Sequence, residues 1–112
     1  MLSKQNRLAK KNDFDAVFKG GKSVKQGFLV CKAVNNALAH SRFGFVVSKK
    51  ISTKATVRNK VRRRLQNAVA RALPGFKKPV DVVIVTLPGI EKKEFKDYQQ
   101  AVTGAFKKLN LI

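Results

Sequence analysis

The chain has 112 residues, enough for one compact domain and too few for two. It is 44% hydrophobic with eight Phe, too apolar for a disordered tail, and its lone cysteine, Cys31, excludes an intrachain disulfide. Against that core stand 25 Lys and Arg and 6 Asp and Glu, a formal net charge of +19 that costs self-repulsion and points to a polyanionic partner.

In chain order, Asn12 or Asp13 is expected to cap a short helix whose stripe is Phe14, Val17 and Phe18, and Gly20-Gly21 stops it. Phe28 to Val34 alternates weakly between Gly27 and Asn35-Asn36 and reads as a strand. Phe43 to Ser48 is a second strand, rich in aromatic and β-branched residues. Val57 to Leu73 is the clearest helix and ends at Pro74-Gly75. Asp81 to Leu87 is a nearly continuous apolar run, the mark of an interior strand, and Glu94 to Leu109 closes the chain as an amphipathic helix. The passage from about 43 to 87 is long enough to bring its two strands parallel, so the reading is an α+β sheet with helices packed on it.

The charge is segregated. From Ala16 to Val80 there are sixteen Lys and Arg and no acid, whereas a solvated surface normally mixes signs. On the helix over 57–73, Val57, Val61, Leu65, Ala68, Ala72 and Leu73 form an apolar stripe bordered by Arg58, Arg62 and Gln66, with Asn59 and Arg63 further round and Lys60, Arg64 and Arg71 beyond. Several of these cations sit at the positive end of the helix dipole with no Glu nearby to offset them, a pattern that stability alone would not choose. Phosphate binding explains it, and Lys49, Lys50 and Lys54 extend the patch upstream. Phe14, Phe18, Phe28, Phe43 and Phe45 exceed the obvious needs of a small core, so unpaired bases could stack on some of them.

Asn6 to Ser23, with its Asp-Phe-Asp-Ala-Val-Phe-Lys-Gly-Gly core, resembles the opening of the protein subunit of bacterial ribonuclease P. Phe43-Gly-Phe-Val-Val-Ser-Lys-Lys-Ile followed by Arg58-Asn-Lys-Val-Arg-Arg-Arg-Leu resembles that family's strand and its arginine-rich signature helix. The resemblance implies one domain over 1–112 with a mixed sheet of about four strands, in the order α-β-β-β-α-β-α. It also implies a left-handed crossover like that in the second domain of a ribosomal protein. Implied too is a contact with the catalytic RNA through Lys54, Arg58, Asn59, Lys60, Arg62 and Arg63. A cleft for the single-stranded 5′ leader of precursor tRNA is expected from Phe14, Phe18, Phe28, Cys31, Val46, Lys50, Arg62 and Gln66. Lys60 stands where the family usually has a second arginine, which keeps charge but loses the bidentate fork. Cys31, Val46 and Gln66 also depart from the usual cleft residues.

No protein catalytic constellation is evident: His40 has no acid near it in sequence, Asp13 reads as a cap, Asp81 opens a strand, and Glu91, Glu94 and Asp97 are helix-start acids. The resemblance places Mg²⁺-dependent hydrolysis on the RNA subunit, with one protein per RNA and no metal on the protein itself. No apolar stretch approaches a membrane span, and the basic N-terminus lacks the apolar core of a secretory signal, so a cytoplasmic protein with no membrane partner is expected. The alternative of another class is a structural RNA-binding protein of ribosomal type, which needs the charge but no leader cleft.

Overall fold

The computed structural model describes residues 2–112. A single-turn 3-10 helix at Lys4–Asn6 precedes α1 (Lys11–Gly20), β1 (Lys22–Gln26), β2 (Leu29–Asn35) and β3 (Arg42–Val46). Then come α2 (Ala55–Ala72), β4 (Val80–Thr86) and α3 (Phe95–Lys108), with 3-10 turns at Leu73–Gly75 and Ile90–Lys92. The sheet order is β1-β2-β4-β3. β2 is antiparallel to both neighbours, while β3 and β4 run parallel across the α2 crossover. The fold is the expected mixed four-stranded sheet with three helices.

Every element located from pattern alone is present within three residues of its expected ends, the largest offset falling at the start of α1. β1 was not located that way, and its residues explain why. Lys22-Ser-Val-Lys-Gln carries a single apolar residue, Val24, because it is a solvated edge strand whose charges discourage further pairing. It forms because Gly27, at φ +57°, opens a two-residue turn that folds β1 back onto β2. The cap of α1 also differs from expectation. The helix begins at Lys11 with Lys10 in the cap position and no side-chain cap, since the Asp13 carboxylate is engaged by Arg42 from β3 instead.

The two sheet faces are unequal. Leu29, Cys31, Ala33, Phe43, Val80, Val82 and Ile84 point to the side covered by α2 and α3, where they meet Val61, Leu65, Ala68, Val69, Tyr98, Val102 and Phe106. Phe43, Phe76 and Phe106 lock this core edge to face, with Phe76 centred 5.5 Å from Phe43 and 5.0 Å from Phe106. The opposite face holds a smaller cluster of Leu8, Val17 and Val83, bordered by Phe14, Val34, Val46 and Val85. Among the described residues it is covered by one ten-residue helix, α1, which packs against β2 and β4, and by Leu8 of the N-terminal segment. β3 would be a bare edge strand. Instead the N-terminal segment runs beside it, with Arg7 bridged in parallel to Phe43 and the Leu8 N–H donating to the Phe43 carbonyl at 2.8 Å.

Candidate nucleic-acid interface

The cations of α2 fall into two groups that the sequence could not separate. Arg64 donates to the Lys93 carbonyl at 2.7 Å and lies over the Tyr98 ring, and Arg71 lies over the Phe95 ring. These two clamp α2 to α3 through cation–π contacts and a hydrogen bond. The remaining four occupy the N-terminal half and have no acidic partner. Lys60 and Arg63 are exposed, Arg58 donates to the Ser52 carbonyl at 2.9 Å, and Arg62 donates to Asn59 Oδ1 at 2.9 Å and toward the Val47 carbonyl at 3.4 Å. Arg58 braces the loop that presents Lys49, Lys50 and Lys54, all exposed, with Lys54 at the helix cap. Among the described residues the ion pairs are Arg42 with Asp13 and Asp81, and Lys96 with Glu94. None offsets α2.

Beside this helix end lies the thinly covered sheet face. Register puts Val30, Val46 and Val85 abreast, all half-buried, one step beyond the row of Lys32, Gly44 and Val83. Phe14 covers Gly44, and Phe18 is 40% exposed, with the Lys32 ammonium 5.3 Å from its ring centre. The result is an apolar shelf of three valines and two phenylalanines with Lys32 at one end. At the other end Val46 leads through Val47 to Arg62 and Asn59. Gln66, one turn further along α2, carries a buried Oε1 with no hydrogen-bond partner among the described residues.

Two residues expected in the cleft lie elsewhere. Cys31 is fully buried and faces the α2/α3 core beside Ile84, because strand parity turns Leu29, Cys31 and Ala33 inward and leaves Val30, Lys32 and Val34 on the α1 side. Burial pushes its thiol up to about 12, so it is a small core hydrophobe. Phe28 is 39% exposed, but it sits in the β1–β2 turn with Lys93 4.4 Å above its ring and Gly89 against its edge. Its carbonyl accepts from Leu87, just past the end of β4 and four residues beyond the Val83 row that Phe14 covers, about 13 Å along the strand direction. Phe43 and Phe45 also face the core side.

Val30, Lys32 and Val85 are the shelf residues that sequence reading missed. The signal was present in β2, where the lone lysine among alternating apolar residues marks which face meets water.

Five of the six acids are engaged by protein groups, Asp13 by Arg42 and Glu94 at the start of α3 among them. Asp81, only 7% exposed, accepts from Arg42 Nε at 2.9 Å and Nη2 at 2.6 Å and from Asn36 Nδ2 at 2.8 Å. This pairing holds the Arg42 guanidinium above its ordinary range. Asp97 accepts the Glu94 N–H at 3.1 Å at the start of α3, and Glu91 accepts the Gly89 N–H. His40 lies in the β2–β3 loop, its carbonyl held by Asn36. Among the described residues no three His, Cys, Asp or Glu side chains gather into a metal-binding group.

Fold and site together define a small, strongly basic α+β protein with a phosphate-seeking helix end beside a solvent-facing aromatic shelf. The family model described as Ribonuclease P matches residues 2–110. The chain is 34% identical to the ribonuclease P protein component of Syntrophomonas wolfei over 112 residues, covering 100% of this chain and 93% of that one. It is 40% identical to the Synechocystis ribonuclease P protein component over 88 residues, covering 78% and 71%. The solved RNase P protein from Thermotoga maritima superposes with a TM-score of 0.79 at 29% identity, covering 88% of this chain and 94% of that one. The Staphylococcus aureus RNase P protein shares the fold, with a TM-score of 0.86 at 24% identity and coverage of 95% and 96%. The chain belongs to the ribonuclease P protein family. It is therefore an RNA-binding protein of tRNA processing, the protein component of a ribonuclease whose other part is RNA.

Proposed function

We propose that this protein grips the single-stranded 5′ leader of precursor tRNA on the shelf over Val30, Val46 and Val85 while the N-terminal half of α2 holds the catalytic RNA. The observation that carries this reading is the juxtaposition of a half-covered sheet face with a row of cations that lack acidic partners. Leader bases stack on Phe14 and Phe18, whose rings accept any base, and the leader phosphates meet Lys32, Lys50 and Arg62. Arg63, Lys60, Lys54 and Asn59 turn away from the core and contact the RNA subunit, with Arg58 ordering the preceding loop. Binding two polyanions at once, the protein screens their mutual repulsion and favours precursor over mature tRNA.

Hydrolysis itself belongs to the RNA subunit with Mg²⁺ bound there, one protein serving one RNA in the cytoplasm. In support, Asp13, Asp81, Glu91 and Asp97 are already engaged by protein groups. The test is a holoenzyme reconstituted with a bacterial ribonuclease P RNA at low Mg²⁺. It is expected to bind 5′-extended tRNA more tightly than mature tRNA and to cleave at the mature 5′ end, with neither component sufficient alone. Equal affinities contradict the leader grip, and cleavage by the protein alone contradicts RNA catalysis.

A further inference from the structure

α1 carries both shelf phenylalanines, yet little of its own structure fixes where it sits. It has no side-chain cap, its buried residue is Val17, and the cluster beneath it is small. What holds its entry is one short stretch of chain, residue after residue. The Ser41 carbonyl accepts from Asn6 Nδ2 at 2.7 Å, and the Phe43 carbonyl accepts from the Leu8 N–H at 2.8 Å. Between them Arg42 Nη1 reaches the Asp13 carboxylate at 3.2 Å while its other nitrogens are fixed on Asp81. Next comes Gly44, where a Cβ would stand 2.4 Å from Cζ of Phe14 and 2.6 Å from Cε1, so any side chain there lifts the ring.

Resting on the leader reading above, we propose that β3 is the gauge that sets the height and pitch of α1, with Arg42 and Gly44 as positioning residues for the leader shelf. Arg42 pulls the first turn of α1 toward the sheet through Asp13. Gly44 fixes how far Phe14 descends before it meets backbone. Neither residue needs to touch the leader. Two of the six acids meet on this one guanidinium in a chain of charge +19, which fits a device that defines geometry: the bidentate, part-buried pair with Asp81 fixes the plane of the guanidinium, and Asp13 is drawn to its remaining nitrogen.

The experiment uses holoenzyme reconstituted with catalytic RNA and the variants Gly44→Ala, Asp13→Ala, Asp13→Asn and Phe14→Ala, together with the Gly44→Ala/Phe14→Ala double variant. Affinities for 5′-extended tRNA, mature tRNA and the catalytic RNA are measured, with amide hydrogen exchange across 11–20 in the free protein. Gly44→Ala and Asp13→Ala are expected to weaken binding of extended tRNA about five- to tenfold, the size of one lost stacking contact. Mature tRNA and catalytic RNA affinities stay within about twofold, and α1 amides exchange faster. Asp13→Asn keeps an oxygen acceptor for Arg42 and restores most of the preference. In the Phe14→Ala background, Gly44→Ala has no further effect on extended tRNA, because the ring it displaces is gone.

Additive losses in the double variant, parallel weakening of all three affinities, or unchanged exchange with unchanged preference would each overturn the gauge. Should Gly44→Ala fail to fold, the Asp13 pair decides alone, an Asn variant as weak as Ala ruling against it. If wild-type holoenzyme shows no preference for extended tRNA, the leader reading falls and the gauge with it. An intact wild-type preference that the variants leave untouched defeats the gauge only.

Discussion

The two faces of the sheet share the same four strands but differ in almost every physical respect. One is covered by two long helices and centred on fully buried Phe43, Ile84, Leu65 and Phe106. The other has one ten-residue helix, a three-residue cluster and a row of half-exposed valines. Hydrophobic burial holds the domain together on the first face, so the second can leave apolar surface open where a single-stranded nucleic acid can stack. The cations of α2 divide in the same way: Arg64 and Arg71 are bound to α3, while Arg58 through Arg63 cluster at the open end.

Substitutions can break this comparison. Phe106→Ala removes a fully buried ring from the thick face and is expected to cost about 3–5 kcal/mol, enough to unfold much of the protein. Val30→Ala on the thin face should cost about 1 kcal/mol, read as a small shift of the urea midpoint with an unchanged slope. Equal costs would mean that the faces are not mechanically distinct.

Arginine pairs sharpen it further. Arg64→Ala loses its bond to the Lys93 carbonyl and its contact with Tyr98, so stability falls by about 1–2 kcal/mol with no change in the salt dependence of RNA binding. Arg63→Ala should do the reverse, leaving the melting temperature alone and reducing the slope of log K against log salt by about 0.9. A salt slope that moved in Arg64→Ala would put that residue on the RNA.

The smallest effect concerns Cys31. Its thiol, pushed up to about 12 by burial, should resist alkylation at pH 8 until the protein unfolds. Because the folded state keeps this proton to higher pH than the unfolded chain, its contribution is complete below the ordinary thiol range and declines as pH climbs from there toward 12. Rapid labelling of native protein would contradict its burial.

The long elements were legible because their periods are strong: α2 and α3 carry apolar stripes over many turns, and β4 has hydrophobic residues on both faces. β1 was not, since an edge strand with one apolar side chain has almost no period. The site was half legible. Charge without acids revealed the basic helix, yet nothing local distinguishes Arg64, which reaches α3, from Arg63, which does not, because the partner lies about thirty residues away. In β2 the position taken from the family resemblance was off by one residue, and with a period of two that placed Cys31 in the cleft and hid Val30 and Lys32. Phe28 was displaced for a related reason, since it belongs to a turn and leaves the strand's alternation. Asp13 looked like a cap because caps are local, whereas Arg42 is twenty-nine residues distant.

The central claim is that precursor tRNA and catalytic RNA are held by separate surfaces of one small protein. It is tested most directly by measuring both affinities for Phe18→Ala and Arg63→Ala holoenzymes side by side. Phe18→Ala should lower affinity for 5′-extended tRNA about tenfold and leave catalytic-RNA binding unchanged, while Arg63→Ala weakens the grip on catalytic RNA and preserves the preference for extended over mature tRNA. Both variants weakening both partners in proportion would contradict the account, because one undivided surface would then serve both.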